Sequence, residues 1–215
     1  MDVRDVDRAL RSTIWPRLKA RGFAVRTDRV AWRYGPKAID VVEITTVGAL
    51  ADSVGCTSFS FGATVASMPE YLASSPVPAG KDGRPRPHYW HCQLRRTLSK
   101  SLRQPWFRPF GRPVSPGTTP AMLKHREGLK QVIRHDVHDR SDTWFVLEDG
   151  SNLDQDLEDL LVVLEHDALP LLDRFHDPCS IMASLREGML PHINPDSPAG
   201  RQFIAAVDTE CAKAP

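Results

Sequence analysis

Residues 56–66 read CTSFSFGATVA, and the alternation within them decides the fold class. Phe59, Phe61, Ala63 and Val65 fall on one face, with Ser58, Ser60, Gly62 and Thr64 on the other. That two-residue period is the mark of a half-buried β-strand. Upstream, FAVR, VAWRY and AIDVVEITTV are separated by the turn-forming TDR and GPK, which predicts an antiparallel meander. In the first two runs Phe23, Val25, Val30, Trp32 and Tyr34 alternate with Ala24, Arg26, Ala31 and Arg33, giving one buried and one wet face. The third run breaks phase: Ile39 and Val41 oppose Val42 and Ile44, so this strand is either bulged or covered on both sides.

Helical spacing frames these strands. Val3, Val6, Leu10, Ile14 and Leu18 form one apolar stripe, with Pro16 predicting a kink or break near Trp15 and Gly22 the end of the helix. Thr119 and Pro120 cap and open a second helix, in which Met122, Leu123, Leu129, Val132 and Ile133 form a partial stripe weakened by Gly128. TWFVLE at 143–148 is a further strand candidate. The best helix signal follows: Ser151 as cap, Asp154 three residues on, and Leu153, Leu157, Leu160, Leu161 and Leu164 on one face. The helix dipole accounts for Asp154 and Asp156 in its first turns without a metal. Pro170 kinks or ends this helix, and short helices are expected near Ile181–Glu187 and Gly200–Ala212. The class is therefore α+β, an N-terminal helix on a mostly antiparallel sheet of about five or six strands, closed by a long C-terminal helix and a helical tail. Residues 1–178 read as one domain, with a Pro-, Arg- and aromatic-rich insertion at about 81–140, and 179–215 as a helical extension.

Composition excludes the unusual classes. Of 215 residues, 41% are hydrophobic and 26% charged, which is ordinary for a soluble globular chain. No stretch approaches the length of a membrane span, and MDVRDVDRALRSTIW lacks the apolar core of a leader. Cys56, Cys92, Cys179 and Cys211 lie far apart with no CxxC pair, so reduced thiols and a cytoplasmic location are expected. The net charge of +1 hides an asymmetry: Lys and Arg predominate over 81–140, whereas over 141–177 many acids face Arg174 as the one Lys or Arg. Such runs are usually solvated surface that neutralises itself within one fold, or a basic face for an acidic partner.

The densest stretch of chemistry-bearing residues is HYWHCQLRR at 88–96. Trp90, Cys92 and Leu94 alternate with His91, Gln93 and Arg95, so it reads as a strand. There His88 and Cys92 would stand about 13 Å apart, too far to share one ion unless the segment is a tight turn. RHDVHD at 134–139 is the better metal candidate, because a helix would set His135, His138 and Asp139 on one side. Arg95, Arg96, Arg103, Arg108 and Arg112, interleaved with Trp106, Phe107 and Phe110, supply the cations and rings that bind partners or single-stranded nucleic acid. Arg84, Arg86, Lys100, Tyr89 and Trp90 extend the nucleic-acid version of that set. No GxSxG elbow, P-loop, Rossmann fingerprint or HExxH occurs, so the reading leans away from an enzyme and implies no cofactor.

The order of LKARGF, AIDVVEITT, FSFGATV, HCQLRRTL, TWFVLE and ALPLLDRF resembles a bacterial domain-of-unknown-function family, number 4304, over roughly residues 5 to 188. That resemblance implies an α+β fold and brings no activity, cofactor or catalytic residue with it. The functional expectation is a non-catalytic interaction module, immunity-like or accessory, that takes a protein partner through the segment from about Lys81 to Pro116. Single-stranded nucleic-acid binding through 84–112 and a metal-dependent hydrolase are the alternatives.

Overall fold

The computed structural model describes residues 1–73, 76–108, 110–132 and 140–213. Helix α1 (Val3–Ala20) buries Val6, Leu10, Ile14 and Leu18, the stripe set by its three- and four-residue spacing. It runs through Pro16 without the expected break. Pro16 and Ser12 both lie on the exposed side, where water can replace the backbone hydrogen bond that the proline cannot donate. At the end of α1, Phe23 N–H donates to Leu18 O and Gly22 N–H to Lys19 O, both at 3.1 Å. This pairing needs a left-handed residue at position 22, and Gly22 supplies it with φ of 90°.

Five strands follow: β1 (Val25–Arg26), β2 (Val30–Tyr34), β3 (Ala38–Thr46), β4 (Phe61–Pro69) and β5 (Leu94–Thr97). They form one antiparallel sheet in chain order, the meander that the turn signals predicted. The β2–β3 register is unbroken from Val30 opposite Glu43 to Tyr34 opposite Ile39, so the phase break in β3 is not a bulge. Val41, Val42 and Ile44 are all buried, and the strand is covered on both faces. Ala31 is buried as well, which corrects the expected wet face of β2. One face of β2–β3 carries Val30, Trp32 and Val41, with Trp32 Nε1 donating to Pro87 O at 2.7 Å. Arg33 and Asp40 occupy the other, where Asp173 and His176 bond to them.

TWFVLE is not a strand. Its one bridge joins Trp144 to Phe61, after which side chains take the amides a neighbouring strand would have taken. Phe145 N–H donates to Gln104 Oε1 (3.0 Å), Val146 N–H to Ser60 Oγ (3.1 Å) and Leu147 N–H to Asn152 Oδ1 (2.8 Å).

The helices are α2 (Ala51–Val54), α3 (Pro120–Val132), α4 (Leu153–Val163), α5 (Leu169–Arg174), α6 (Pro178–Arg186) and α7 (Pro198–Cys211). Thr119 caps α3, accepting from Met122 N–H at 3.3 Å. The apolar stripe expected on α3 is not what it buries: Leu123 is exposed and Met122 and Leu129 are half-buried, while Arg126 is buried. Between α4 and α5 a π-helical turn, Leu164–Ala168, stands just before Pro170. A widened turn there accommodates a residue that cannot donate to the preceding turn, so the helical path continues.

The chain divides into two compact units, Met1–Arg17 with Ile44–Ala63 and Thr97–Val163, and Leu18–Glu43 with Thr64–Arg96 and Leu164–Pro215. In the first, Phe61 and Trp144 stack at 5.6 Å, and Ala51, Val54, Cys56 and Phe145 cluster with Phe107 against them. In the second, Val30, Trp32, Val41, Ala66, Met68 and Cys92 form the cluster, and Cys179 is joined to Cys211. The expectation of four reduced thiols is therefore corrected: α6 and α7 pack side by side and bring these two cysteines to a Cα separation of 4.9 Å, within disulfide reach. Cys56 and Cys92 are free and buried. No helix among the described residues is long and apolar enough to cross a membrane.

Candidate functional site

The first unit holds an open cleft of about 470 Å³ at the loop that follows β5. Its floor is Phe145, with the Phe107 ring stacked on it at 3.3 Å between centroids and 6° between planes. Cys56, Thr57 and Leu147 complete the apolar side, and Trp106, Arg108, Arg112 and Glu148 stand round the opening. Trp106 is 42% exposed, unusual for so large an apolar side chain. Arg112 is already engaged: it donates to Cys56 O at 3.0 Å and pairs with Glu148. Arg108 is exposed and, among the described residues that line the cleft, is the cation left to meet a ligand.

Buried polar groups hold this cleft in shape. Gln104 Nε2 donates to Asp156 Oδ1 at 2.7 Å, and its Oε1 accepts from Phe145 N–H (3.0 Å) and Lys100 Nζ (2.8 Å). Lys100 also donates to Thr143 O and lies 4.5 Å from the centre of the Phe145 ring. Asn152 Nδ2 bridges Phe145 O and Asp156 Oδ2. Asp159 accepts from Trp144 Nε1 (2.8 Å), Leu102 N–H (2.9 Å), Ser101 N–H and Ser101 Oγ. Asp156 and Asp159 are buried while Asp154 and Glu158 are exposed, so the acidic run at the start of α4 is a solvated face only in part. Its two buried carboxylates hold the segments 98–104 and 143–147 through hydrogen bonds, the condition under which buried charge persists.

A second brace comes from α3. Arg126, 5% exposed, donates to the carbonyls of Asp52, Phe110 and Arg112 and stands 5.8 Å over the Phe110 ring. Phe110 N–H donates to Val54 O at 2.9 Å, and Phe110 has a φ of 64°, a conformation that a bulky residue keeps only when its surroundings over-determine it. Gly55 makes the approach possible, since a Cβ there would lie 2.6 Å from the Phe110 backbone. Against the desolvation that would raise it, the Ser115 and Thr118 hydroxyls that donate to Asp52 help draw its carboxyl below its ordinary range. The loop is thus pinned at both ends.

Cys56 at the cleft wall is a thiol, not a thiolate: burial pushes its pKa up to about 11. The cleft therefore lacks an activated nucleophile at that position, and its chemistry is that of apolar contact framed by cations.

The structure sorts the sequence-predicted residues into two places. Arg103, Trp106, Phe107, Arg108, Phe110 and Arg112 belong to the first unit, and Arg95 and Arg96 on β5 to the second. Trp106, Phe107, Arg108 and Arg112 line the cleft; Phe110 anchors it, and Arg103 is exposed on the preceding turn. His135, His138 and Asp139 lie outside the described residues. Among the described residues no group of three or more His, Cys, Asp or Glu is placed to hold a metal ion. The 88–96 stretch is not one strand: Tyr89–His91 form a 3₁₀ turn, and β5 begins at Leu94. Trp90 is 53% exposed, not buried as alternation predicted, because the turn rotates it away from Cys92 and Leu94. Gln104, Arg126, Gly55 and Asp156 were missed by sequence reasoning. The i, i+4 spacing of Asn152 and Asp156 was the one local signal for the last of them.

No family model, curated protein or solved structure matches the chain. The site stands on its own geometry.

Proposed function

We propose that the first unit is a non-catalytic recognition module whose 104–116 loop takes a partner's peptide segment, with a large apolar side chain seated on Phe107 and Phe145 and a neighbouring carboxylate paired to Arg108. The observation that carries this reading is the exposed Trp106 beside that braced apolar cleft, with arginines round its opening. Trp and Arg dominate the energetics of protein interfaces, and a loop already held by Arg126 and Gly55 loses little freedom on binding. The exposed Arg103 and Arg108 favour an acidic partner. A relation to family 4304 belongs to the same proposal and adds no activity to it.

Single-stranded nucleic acid is the weaker reading, because several of the cations it would use are spent within the chain. Arg86 pairs with Asp82 and stands over Trp32, Arg84 stands over Tyr34, and Arg112 holds Glu148. Selection of displayed peptides on the purified protein tests the proposal. The expected motif is an Asp or Glu beside a large apolar residue, and Trp106→Ala or Arg108→Glu should weaken the selected peptide about thirtyfold, the equivalent of about 2 kcal/mol. A selection without a motif, or a peptide indifferent to both substitutions in folded protein, would overturn the reading. A single-stranded oligonucleotide binding at this cleft with steep salt dependence would replace it.

A further inference from the structure

We propose that the second unit carries a separate binding site for a small planar-ring phosphate of mononucleotide size. A cleft of about 650 Å³ opens between the 3₁₀ turn that leads into β5 and the segment from His192 through the first turns of α7. This volume is in the range that encloses small organic ligands. Its wall includes Arg95, His91, His192 and Trp90, and neither Asp nor Glu lines it among the described residues. In a chain with 27 acidic residues against 28 Lys and Arg, a concave surface bearing only cationic and neutral groups favours anions.

The donors are set by bonds already made. His91 Nδ1 accepts from His88 N–H at 3.0 Å, so a neutral His91 carries its proton on Nε2 and presents that N–H as its remaining donor. His192 Nε2 lies 2.7 Å from Gln93 O, which places its proton there and ties the ring to the cleft wall. Arg95 is half-buried, and its guanidinium has no hydrogen-bond or ion-pair partner among the described residues. A forked guanidinium and an imidazole donor lining the same cleft match the oxygens of a phosphate. Trp90 supplies the other half of the recognition. Its indole stacks on the His88 ring, with 4.2 Å between centroids and 3° between planes, and stays 53% exposed. A preoriented, accessible indole is a stacking platform for a base. The site shares no lining residue with the Trp106 cleft, so neither assignment rests on the other.

Calorimetric titration with adenosine 5′-monophosphate, alongside adenosine alone and inorganic phosphate alone, tests the assignment. The expected result is saturable binding of the monophosphate, at least about tenfold tighter than either fragment. Arg95→Ala and Trp90→Ala should each weaken it about tenfold or more with the melting temperature unchanged. Trp90 is exposed, so its variant tests the site even if the Arg95 variant fails to fold. No saturable binding at millimolar monophosphate, or binding unchanged in either folded variant, would overturn the proposal. So would binding of an oligonucleotide by protein that ignores the monophosphate.

Discussion

Removing the Cys179–Cys211 bridge by the paired substitution Cys179→Ser and Cys211→Ser is expected to lower stability by an amount that follows from where the bridge sits. It closes a loop with a sequence separation of 32. The loop-closure entropy that such a cross-link removes from the unfolded chain is worth about 3.7 kcal/mol at 25 °C. If all 215 residues melt together, the unfolding entropy typical of that length converts this into a Tm about 8 °C lower. Scanning calorimetry of the oxidised protein and the double serine variant, both without reductant, reads the shift directly. The folded contacts of α6 and α7 survive in the variant, so its circular dichroism at 20 °C should match that of the parent. A Tm change below about 2 °C would refute the argument that the bridge acts on the unfolded ensemble. So would four titratable thiols in the unreduced, denatured parent, because the bridge itself would then be missing.

Three further outcomes follow from buried groups. Gln104→Ala should cost about 3–5 kcal/mol in denaturant unfolding, since it strips partners from Asp156, Lys100 and the Phe145 amide together; a cost under about 1 kcal/mol would show that these groups find other partners. His176 donates to the fully buried Asp40, and that bond, set against partial burial, raises its pKa above the ordinary 6.5. A raised pKa means protonation favours the folded state, so the stability His176 contributes is complete below about pH 6 and fades as pH rises through the folded pKa. The Tm gap between parent and His176→Gln should therefore narrow from pH 5.5 to 8.5, and a gap that widens would contradict the pairing. Burial holds the Cys56 and Cys92 thiols at about 11 and about 12, so at pH 8 a thiol reagent should label the folded protein slowly and count two free thiols once it is denatured; rapid labelling in the native state would show an activated cysteine.

The sequence by itself determined the parts of this protein that depend on periodicity. The helical stripe of α1, the alternation of Phe59 to Val65, the punctuated meander and the leucine repeat of α4 each bury one face against solvent, a demand written locally in the order of residues. The turn at Gly22 and the cap at Thr119 were legible for the same reason, since both act within a few positions. The cleft was half legible: Trp106, Phe107, Arg108 and Arg112 stood out by residue type, but nothing local indicated that Arg95 and Arg96 belong to a different unit. Tertiary structure alone decided what joined distant segments. Arg126 meets Asp52, Phe110 and Arg112, Gln104 meets Asp156, and Cys179 meets Cys211; each of these joins positions whose separation leaves no period to detect. The same cause turned TWFVLE from a strand into a segment held by Ser60, Gln104 and Asn152. A backbone amide needs an acceptor, and the chain alone does not say whether a neighbouring strand or a buried side chain will provide it.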